Sequence, residues 1–312
     1  AFDPHLQNPY SMNIYLGIQR ELTPSWMLES AFVATRGVKY PMERVFNPVD
    51  RLTGLRPNPN LAEGYYEDNT QNTVYTSWQT SLRKRYSKNL AGGFHYTWSK
   101  ALSTAGGDIG GYYQGDAGVL TQDFFNPRAD RGLSAGDLTH YFAFQMVYDL
   151  PLLNGSNVLL RQALGGWEVS SMFVATTGGG LTIGQTSSLQ VTRPDYIGGN
   201  AIFSDSRETL QYLNKAAYAL VPLSPVSGAS IRPGNVGVNA IRGPGRVNLD
   251  LSLGKNFAIA ERIKLQVRAD AFNSINHTNL SGLTTSLNSP TFGRFTSTRG
   301  ARVVQLNARF RF

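Results

Sequence analysis

RVVQLNARFRF (302–312), the last stretch of the chain, decides the fold. Successive side chains of a β-strand point to opposite faces, and one face here is apolar: Val304, Leu306, Ala308, Phe310 and Phe312. The other face is mainly polar: Val303, Gln305, Asn307, Arg309 and Arg311. Such a strand suits a membrane β-barrel, with lipid on one side and water on the other. A soluble sheet can also end on an amphipathic strand, but the aromatic residue at the chain terminus favours the outer-membrane barrel.

Eight further segments show the same period of two. Each is about ten residues long, the length that crosses a bilayer when the strand is tilted, and no helical period competes with the alternation. The segments are Tyr10–Arg20, Trp26–Thr35, Asn72–Tyr86, Leu90–Lys100, Thr139–Leu150, Trp167–Thr176, Arg246–Lys255 and Arg262–Ala271. The sequence therefore predicts an all-β fold, an antiparallel transmembrane β-barrel wall of about nine strands.

The connections between these segments alternate in length. The short ones are 21–25, 87–89, 151–166 and 256–261, and the long ones are 36–71, 101–138, 177–245 and 272–301. Strict alternation places all long loops at one end of the wall, as in bacterial outer-membrane barrels, where the long loops are extracellular. We therefore predict an outer-membrane location with the four long loops outside the cell.

An odd number of antiparallel strands cannot close into a barrel without a parallel pair, and open strand edges are not tolerated in lipid. We therefore expect residues 1–312 to be the carboxy-terminal part of a larger barrel. The start of the chain shows no signal peptide, which we expect to be missing or removed.

Composition excludes several other classes. The chain has no cysteine, so disulfides and thiolate metal sites are unavailable. Hydrophobic residues make up 41% and mean hydropathy is −0.25, too low for a helical membrane protein. The net charge of +8 is spread over isolated basic residues, which favours a solvated loop or lumen surface over nucleic-acid binding.

Several motifs resemble the barrel of TonB-dependent receptors. They are YTWSKALS (96–103), FNPRADRGLSAGDLTHYFAFQMVYDLP (125–151), LGGWEVSSMF (164–173), RGPGRVNLDLSLGKNF (242–257) and RADAFNSINHTNL (268–280). Within that family, the motifs resemble the Oar-like branch found in Acidobacteria and similar soil bacteria. The resemblance implies a 22-stranded barrel with an amino-terminal plug, which takes up a bulky solute with energy passed through TonB. This chain departs from the family by lacking the plug domain and the TonB-contacting segment.

Charged strand residues are the first set of candidate functional residues. A charge facing lipid at the bilayer midplane costs about 2–4 kcal/mol, so we expect these side chains to face a water-filled lumen or the plug. The candidates are Arg83, Glu168, Asp250, Arg268, Asp270 and Arg309. Their simpler role is cross-strand pairing and solvation of the interior.

Aromatic residues form the second set. Those near strand ends are expected to form an interfacial girdle: Trp26, Trp78, Trp98, Trp167, Tyr10, Tyr86, Tyr96 and Tyr148. Tyrosines in the long loops are candidates for ligand capture: Tyr65, Tyr66, Tyr112, Tyr113 and Tyr196. Phe310 and Phe312 are candidates for the signal that barrel-assembly machinery recognises.

No catalytic set, cofactor site or metal site is predicted. His5, His95, His140 and His277 are scattered, and Asp108 and Asp116 lack the spacing of a calcium loop. The run GGGLTIG (178–184) lacks the ending of a phosphate-binding loop and is predicted to be a flexible strand exit. Two functions stay open: part of a transport receptor, or a structural or adhesive barrel that binds partners through its extracellular loops. An outer-membrane enzyme is a weaker third alternative.

Overall fold

The computed structural model describes residues 3–104, 121–151, 164–189, 192–258 and 264–312. The long strands are β1 (Tyr10–Thr23), β2 (Trp26–Phe46), β3 (Gly64–Ser87), β4 (Leu90–Ser103), β6 (His140–Asp149), β7 (Trp167–Thr176), β12 (Arg246–Ala258), β13 (Lys264–Phe272) and β16 (Val303–Arg311). The short strands are β5 (Gly132–Leu133), β8 (Gly180–Leu181), β9 (Asp195–Tyr196), β10 (Tyr218–Ala219), β11 (Ile241–Arg242), β14 (Leu280–Leu283) and β15 (Phe295–Thr298).

The helices that lie wholly within the described ranges are single turns. They are an α-helical turn at Ser206–Thr209 and 3₁₀ turns at Pro127–Asp130 and Lys215–Ala217. No helix in the described ranges has the length and apolar character needed to cross a bilayer.

The long strands form one antiparallel sheet in the order β1-β2-β3-β4-β6-β7-β12-β13-β16, and β5 pairs with β4 beside this path. Each of the nine predicted segments lies on one of these strands, so the predicted all-β antiparallel wall is confirmed. The path has two ends, β1 and β16, and is an open sheet over the described residues.

Cross-strand pairing gives the wall one apolar face. Paired residues share a face, and one row of pairs runs through Leu28, Leu82, Phe94, Phe144, Phe173 and Leu249. Rings within the face pack directly, with centroids of Phe142 and Phe173 5.9 Å apart. The alternation of apolar and polar residues read from the sequence therefore corresponds to the two faces of the sheet.

The hairpin of β2 and β3 is longer than predicted. The sequence placed a loop at 36–71, but the strands continue to Phe46 and resume at Gly64, so the connection is 47–63. Register shifts fall between Gly37 and Tyr40 and between Tyr40 and Met42. Such bulges insert unpaired residues and break the period of two, which is why the pattern ended at Thr35.

The long connections are folded rather than open. Residues from 177–245 and 272–301 share a small core of Ile183, Leu213, Ala217, Tyr218, Val236, Leu287 and Phe292. The predicted flexible run 178–184 contains β8, which pairs with β11. Gly178 is needed there, because a Cβ atom would lie 1.9 Å from the carbonyl oxygen of Gly243. We call the folded parts of 47–63, 121–139, 177–245 and 273–302 the loop cap.

Candidate functional site

The polar face of the wall carries all six charged candidates. Arg83 and Asp250 lie in one row of pairs, which passes through Gly93, Gln145 and Met172. A second row joins Glu168 to Arg268 through Gly254. Asp270 pairs with Ser252 and Gln305, and Arg309 pairs with Gln266. The sequence pattern therefore placed these side chains on one common face.

Four of these residues border one open cavity. Arg83, Asp250, Arg268 and Asp270 are among the residues lining a space of about 760 Å³. Arg268 Nε lies 2.7 Å from Asp270 Oδ1, and Asn307 donates to Asp270 Oδ2 at 3.2 Å. Asp250 Oδ1 accepts hydrogen bonds from Asn248 and from the backbone N–H of Asn273. Because the carboxylates are used in bonds within the wall, this face is a fixed polar lining.

A second cavity lies where the polar face meets the loop cap. It measures about 710 Å³, and its wall side includes Tyr141, Met172 and Asp250. Its cap side includes Gly178–Leu181, Leu283 and Phe295. We call this space the cap cleft.

Two arginines give the cap cleft a positive lining. Arg246 and Arg299 both line it and both are exposed. In the part of the chain that the structure describes, neither guanidinium forms a salt bridge. Sequence reasoning missed Arg299, because a single arginine in a loop without periodicity carries no signal. Free guanidinium groups favour ligands with carboxylate or phosphate groups.

Buried ion pairs tie the loop cap together. Arg193 pairs with Asp130, and both side chains are 4% exposed. Arg242 pairs with the fully buried Asp137. Arg51 donates to Ser230 Oγ at 2.7 Å and also to the carbonyl of Gln122. These contacts join residues from three separate long connections, so the loops form one unit above the wall.

Electrostatics within the loop cap follow from these partners. The Arg232 guanidinium, hydrogen-bonded to Asp195 at 2.6 Å, lowers the pKa of that carboxyl. Burial lowers the pKa of Arg51. Burial also raises the pKa of Tyr218 to about 12, and its hydroxyl has no hydrogen-bond partner within the described ranges. The Tyr218 hydroxyl therefore stays neutral near pH 7.

The loop tyrosines are not one cluster. Tyr65 and Tyr66 were predicted in a loop but lie on β3. Tyr196 lies on β9, where its ring is 5.9 Å from that of Tyr218 and its hydroxyl donates to Gly199 O at 2.6 Å. Tyr112 and Tyr113 lie outside the described residues, as do Asp108 and Asp116.

Aromatic rings and lysines meet at the short-connection end of the wall. Lys84 Nζ lies 5.3 Å from the ring centroid of Trp26, and Lys255 Nζ lies 4.9 Å from that of Trp167. An ammonium group over an aromatic ring is attracted by the negative face of the ring. Phe310 is exposed on the apolar face of β16, and Phe312 follows that strand fully exposed.

Among the described residues, no group of three or more His, Cys, Asp or Glu side chains could hold a metal ion. Two of the four histidines have separate partners. His140 Nδ1 lies 2.8 Å from the hydroxyl of Tyr96, and His277 Nε2 lies 3.2 Å from Arg207.

Comparison with known proteins yields a family and a fold. Residues 1–305 match the family described as "Outer membrane beta barrel domain". The outer membrane transporter YddB from Escherichia coli is similar in structure, with a TM-score of 0.56 and 9% identity over 97% of this chain and 33% of that chain. Two other structures align more weakly. The ferric-catecholate import receptor Fiu from E. coli K12 has a TM-score of 0.45 and 11% identity over 97% of this chain and 28% of that one. The copper transporter OprC has a TM-score of 0.41 and 8% identity over 99% and 32%.

The chain spans about a third of the length of these structures. No curated protein matches it.

Proposed function

The chain belongs to the outer membrane β-barrel domain family, and from this premise we propose that it forms part of the wall of a TonB-dependent receptor for uptake of a bulky solute. Membership places it among membrane barrels and not among enzymes. The apolar face is then the lipid side, and the polar face lines the lumen. Oar-like receptors are the proposed subgroup, on the motifs between residues 96 and 280.

The cap cleft is the observation that carries this proposal. A space of about 710 Å³ is large enough for a drug-sized ligand, and it lies between the loops and the polar lining. Arg246 and Arg299 would bind the anionic groups of an incoming solute. The polar lining with Arg83, Asp250 and Arg268 would continue the path of the solute along the polar face of the wall and would contact a plug.

Completion of the barrel is part of the proposal. The apolar faces of β1 and β16 are exposed, with Leu16 at 72% and Leu306 at 77%. In lipid their free edges need further strands. We propose that the wall continues into a barrel of 22 strands, filled by a plug whose amino-terminal segment binds TonB.

The test uses the full-length protein in outer-membrane vesicles and the purified periplasmic domain of TonB. We expect TonB to co-sediment with vesicles that contain the receptor and not with vesicles that lack it. Epitope tags near Pro59 and Gly199 should be accessible on intact cells, and a tag at Ser87 should not. Absence of TonB binding would reject the transport proposal, and exposure of Ser87 would invert the orientation.

A structural or adhesive barrel is the second candidate, and one observation favours it. The loop cap exposes large apolar side chains, with Leu55 at 70%, Phe125 at 86% and Val226 at 74%. A contiguous patch of such side chains on a folded surface would be typical of a site that binds another protein. Full-length protein that binds no TonB but attaches cells to a host or bacterial surface would select this alternative.

Assembly of the barrel gives a separate expectation for the chain end. Phe312 is fully exposed, so replacing it by alanine removes little packing within the wall, where burying a Phe ring contributes about 1.5–3 kcal/mol. We expect Phe312→Ala to leave the full-length protein unassembled, because Phe310 and Phe312 form the signal for the assembly machinery. Heat-modifiable protein in outer-membrane fractions measures this. Wild-type amounts of the inserted variant would reduce Phe312 to a simple lipid anchor.

A further inference from the structure

Two segments of the loop cap are hydrogen-bonded to each other at one end and separate at the other. Gly184 and Ser286 form a parallel bridge, in which the backbone N–H of Gly184 donates to Thr285 O at 3.1 Å. In the part of the chain that the structure describes, no backbone hydrogen bond joins the preceding residues, 178–182 and 280–284. The parallel pair is therefore formed only at the bridge.

The separated parts present free backbone edges to each other. In a strand, the N–H and C=O groups of alternate residues point to the same edge. Gly179 O accepts from the N–H of Gly243, beside β11, at 2.8 Å, so the backbone groups of Gly180 point away from β11. Thr284 donates to the residue just before β15 at 3.1 Å, so the backbone groups of Leu283 point away from β15. One edge of β8 and one edge of β14 are therefore without a partner strand in the described part of the chain.

The space between these two edges is the cap cleft. Its lining includes Gly178–Leu181 on one side and Leu280–Leu283 on the other. Gly282 adopts a left-handed conformation, with φ 66°, and is left out of the pairing of β14 with β15. A glycine in a strand often marks a place where another backbone approaches closely. Both sides of the cleft therefore offer backbone groups with little side-chain cover.

The two arginines of the cap cleft lie at its open end, away from the bridge. Arg299 donates its backbone N–H to Asn279 O at 2.8 Å, just before β14. The Asn279 side chain donates to Val247 O at 2.7 Å and accepts from the N–H of Val247 at 2.8 Å. Arg246, the neighbour of Val247, is thereby held beside the start of β14 together with Arg299. Two positive charges therefore stand at one end of two free backbone edges.

We propose that the cap cleft binds an extended peptide through its backbone and its terminal carboxylate. This inference rests on the proposed uptake function and names the class of the solute. The peptide lies between β8 and β14, antiparallel to both, and forms hydrogen bonds with their free edges, as peptides do when they add a strand to a sheet. Its carboxyl terminus then lies at the open end, where Arg246 and Arg299 bind the carboxylate.

The size of the cleft suits a short stretch of strand. One residue of a strand occupies about 3.3 Å along the strand, about 4.8 Å between strands and about 10 Å between sheet faces. A space of about 710 Å³ therefore holds about four extended residues. The cleft thus selects the last few residues of a peptide.

The experiment measures binding of a hexapeptide to the purified full-length protein in detergent by fluorescence anisotropy. The peptide alternates threonine and alanine, carries a neutral fluorophore at its amino terminus and ends in a free carboxylate. One comparison peptide ends in a carboxamide, which removes the charge. The other carries N-methyl groups on alternate amides, which block hydrogen bonds along one edge without changing the charge.

The variants test the two arginines. Arg246→Gln/Arg299→Gln removes both charges, and Arg294→Gln is the matched control. Arg294 is exposed and belongs to the same connection as Arg299, but it lies outside the lining that the described residues form around the cap cleft. Heat modifiability is measured for each variant, so that only folded barrels are compared.

We expect the free-acid peptide to bind the wild-type protein and both comparison peptides to bind at least about tenfold more weakly, equivalent to about 1.4 kcal/mol. The double variant should lose about as much affinity for the free acid and should no longer distinguish it from the carboxamide. Arg294→Gln should bind as the wild type does. Equal binding of the N-methylated peptide, or an equal loss in Arg294→Gln, would overturn the proposal.

The measurement needs no TonB, so it separates this inference from the transport proposal. A protein that co-sediments with TonB and binds none of the peptides would overturn the peptide inference alone. Binding of the free-acid peptide by a protein that binds no TonB would support the peptide site and reject energised transport.

Discussion

The wall exposes apolar residues on its surface, whereas the loop cap buries apolar residues in a core. In the wall, Leu16 and Leu306 are 72% and 77% exposed, because their partner is lipid. In the loop cap, Ile183 and Leu213 are fully buried within a protein core. The same chain therefore places apolar side chains in two environments, the lipid around the wall and the protein core of the loop cap. The wall needs only alternation, and the cap needs a packed interior like that of a soluble domain.

Charges show the same contrast. The six charged candidates of the wall stand on one open polar face. In the loop cap, Arg193 and Asp130 are both 4% exposed and are compensated by each other. A buried pair loses far more than an exposed one when a single partner is removed. Stability of the two regions can therefore be perturbed separately.

Among substitutions that should destabilise one region and leave the other unchanged, the largest effect is expected from Arg193→Ala. It leaves Asp130 buried without a counter-charge and also removes the bond from Arg193 Nε to Val236 O. The cost to the loop cap is about 3–5 kcal/mol. Limited proteolysis of intact outer membranes should show cleavage in 192–245 with the wall still heat-modifiable. Arg193→Met/Asp130→Leu is the control and should restore most of the resistance, and simultaneous loss of the wall would show that the two regions are coupled.

The converse experiment places a charge on the apolar face of the wall. Leu251→Arg lies near the middle of β12, on the same face as Leu249, and should destabilise the inserted protein by about 2–4 kcal/mol. Gln145→Arg, on the polar face of β6, should change stability little. Urea unfolding in lipid vesicles measures both. Equal effects of the two variants would mean that the assignment of the faces is wrong.

A smaller effect concerns the tyrosines of the loop cap. The buried hydroxyl of Tyr218 has no partner among the described residues, so Tyr218→Phe should stabilise the cap by about 1 kcal/mol or leave it unchanged. Tyr212→Phe is the control, because its hydroxyl donates to Arg242 O and its loss should destabilise. Hydrogen exchange of 192–245 compares the two. A destabilised Tyr218→Phe would reveal a partner for that hydroxyl.

The smallest effect is a pH dependence of the cap. The pKa of Asp195 is lowered by Arg232, so the pair contributes stability above the unfolded value of about 3.9. That contribution is lost as pH falls through the lower folded pKa. Hydrogen exchange around β9 should therefore rise below this range in the wild type. Asp195→Asn should remove the pH dependence of this hydrogen exchange. An unchanged pH profile in that variant would assign the pH dependence to another group.

Prediction from sequence succeeded where one physical rule acts on every residue. In β16 and over most of β12 the cost of a lipid-facing charge keeps every second position apolar, so these strands were predictable from the alternation. The rule ended at the bulge near Tyr40, where register shifts break alternation. It says nothing about contacts such as Arg193 with Asp130, which are 63 positions apart. The core of the cap and Arg299 in the cap cleft were therefore invisible in the sequence.

The hydrogen bonds of Arg51 carry a consequence for the order of folding. Some neighbouring strands of the wall, such as β3 and β4, meet as hairpins of nearby sequence, and the pairs of β7 with β12 span 70 to 88 positions. Arg51 instead reaches Gln122, 71 positions away, and Ser230, 179 positions away. Contacts between residues so far apart in sequence cost more loop-closure entropy and therefore form late. The entrance of the barrel should thus be the last part to become native, after the strands have already been threaded into the bilayer.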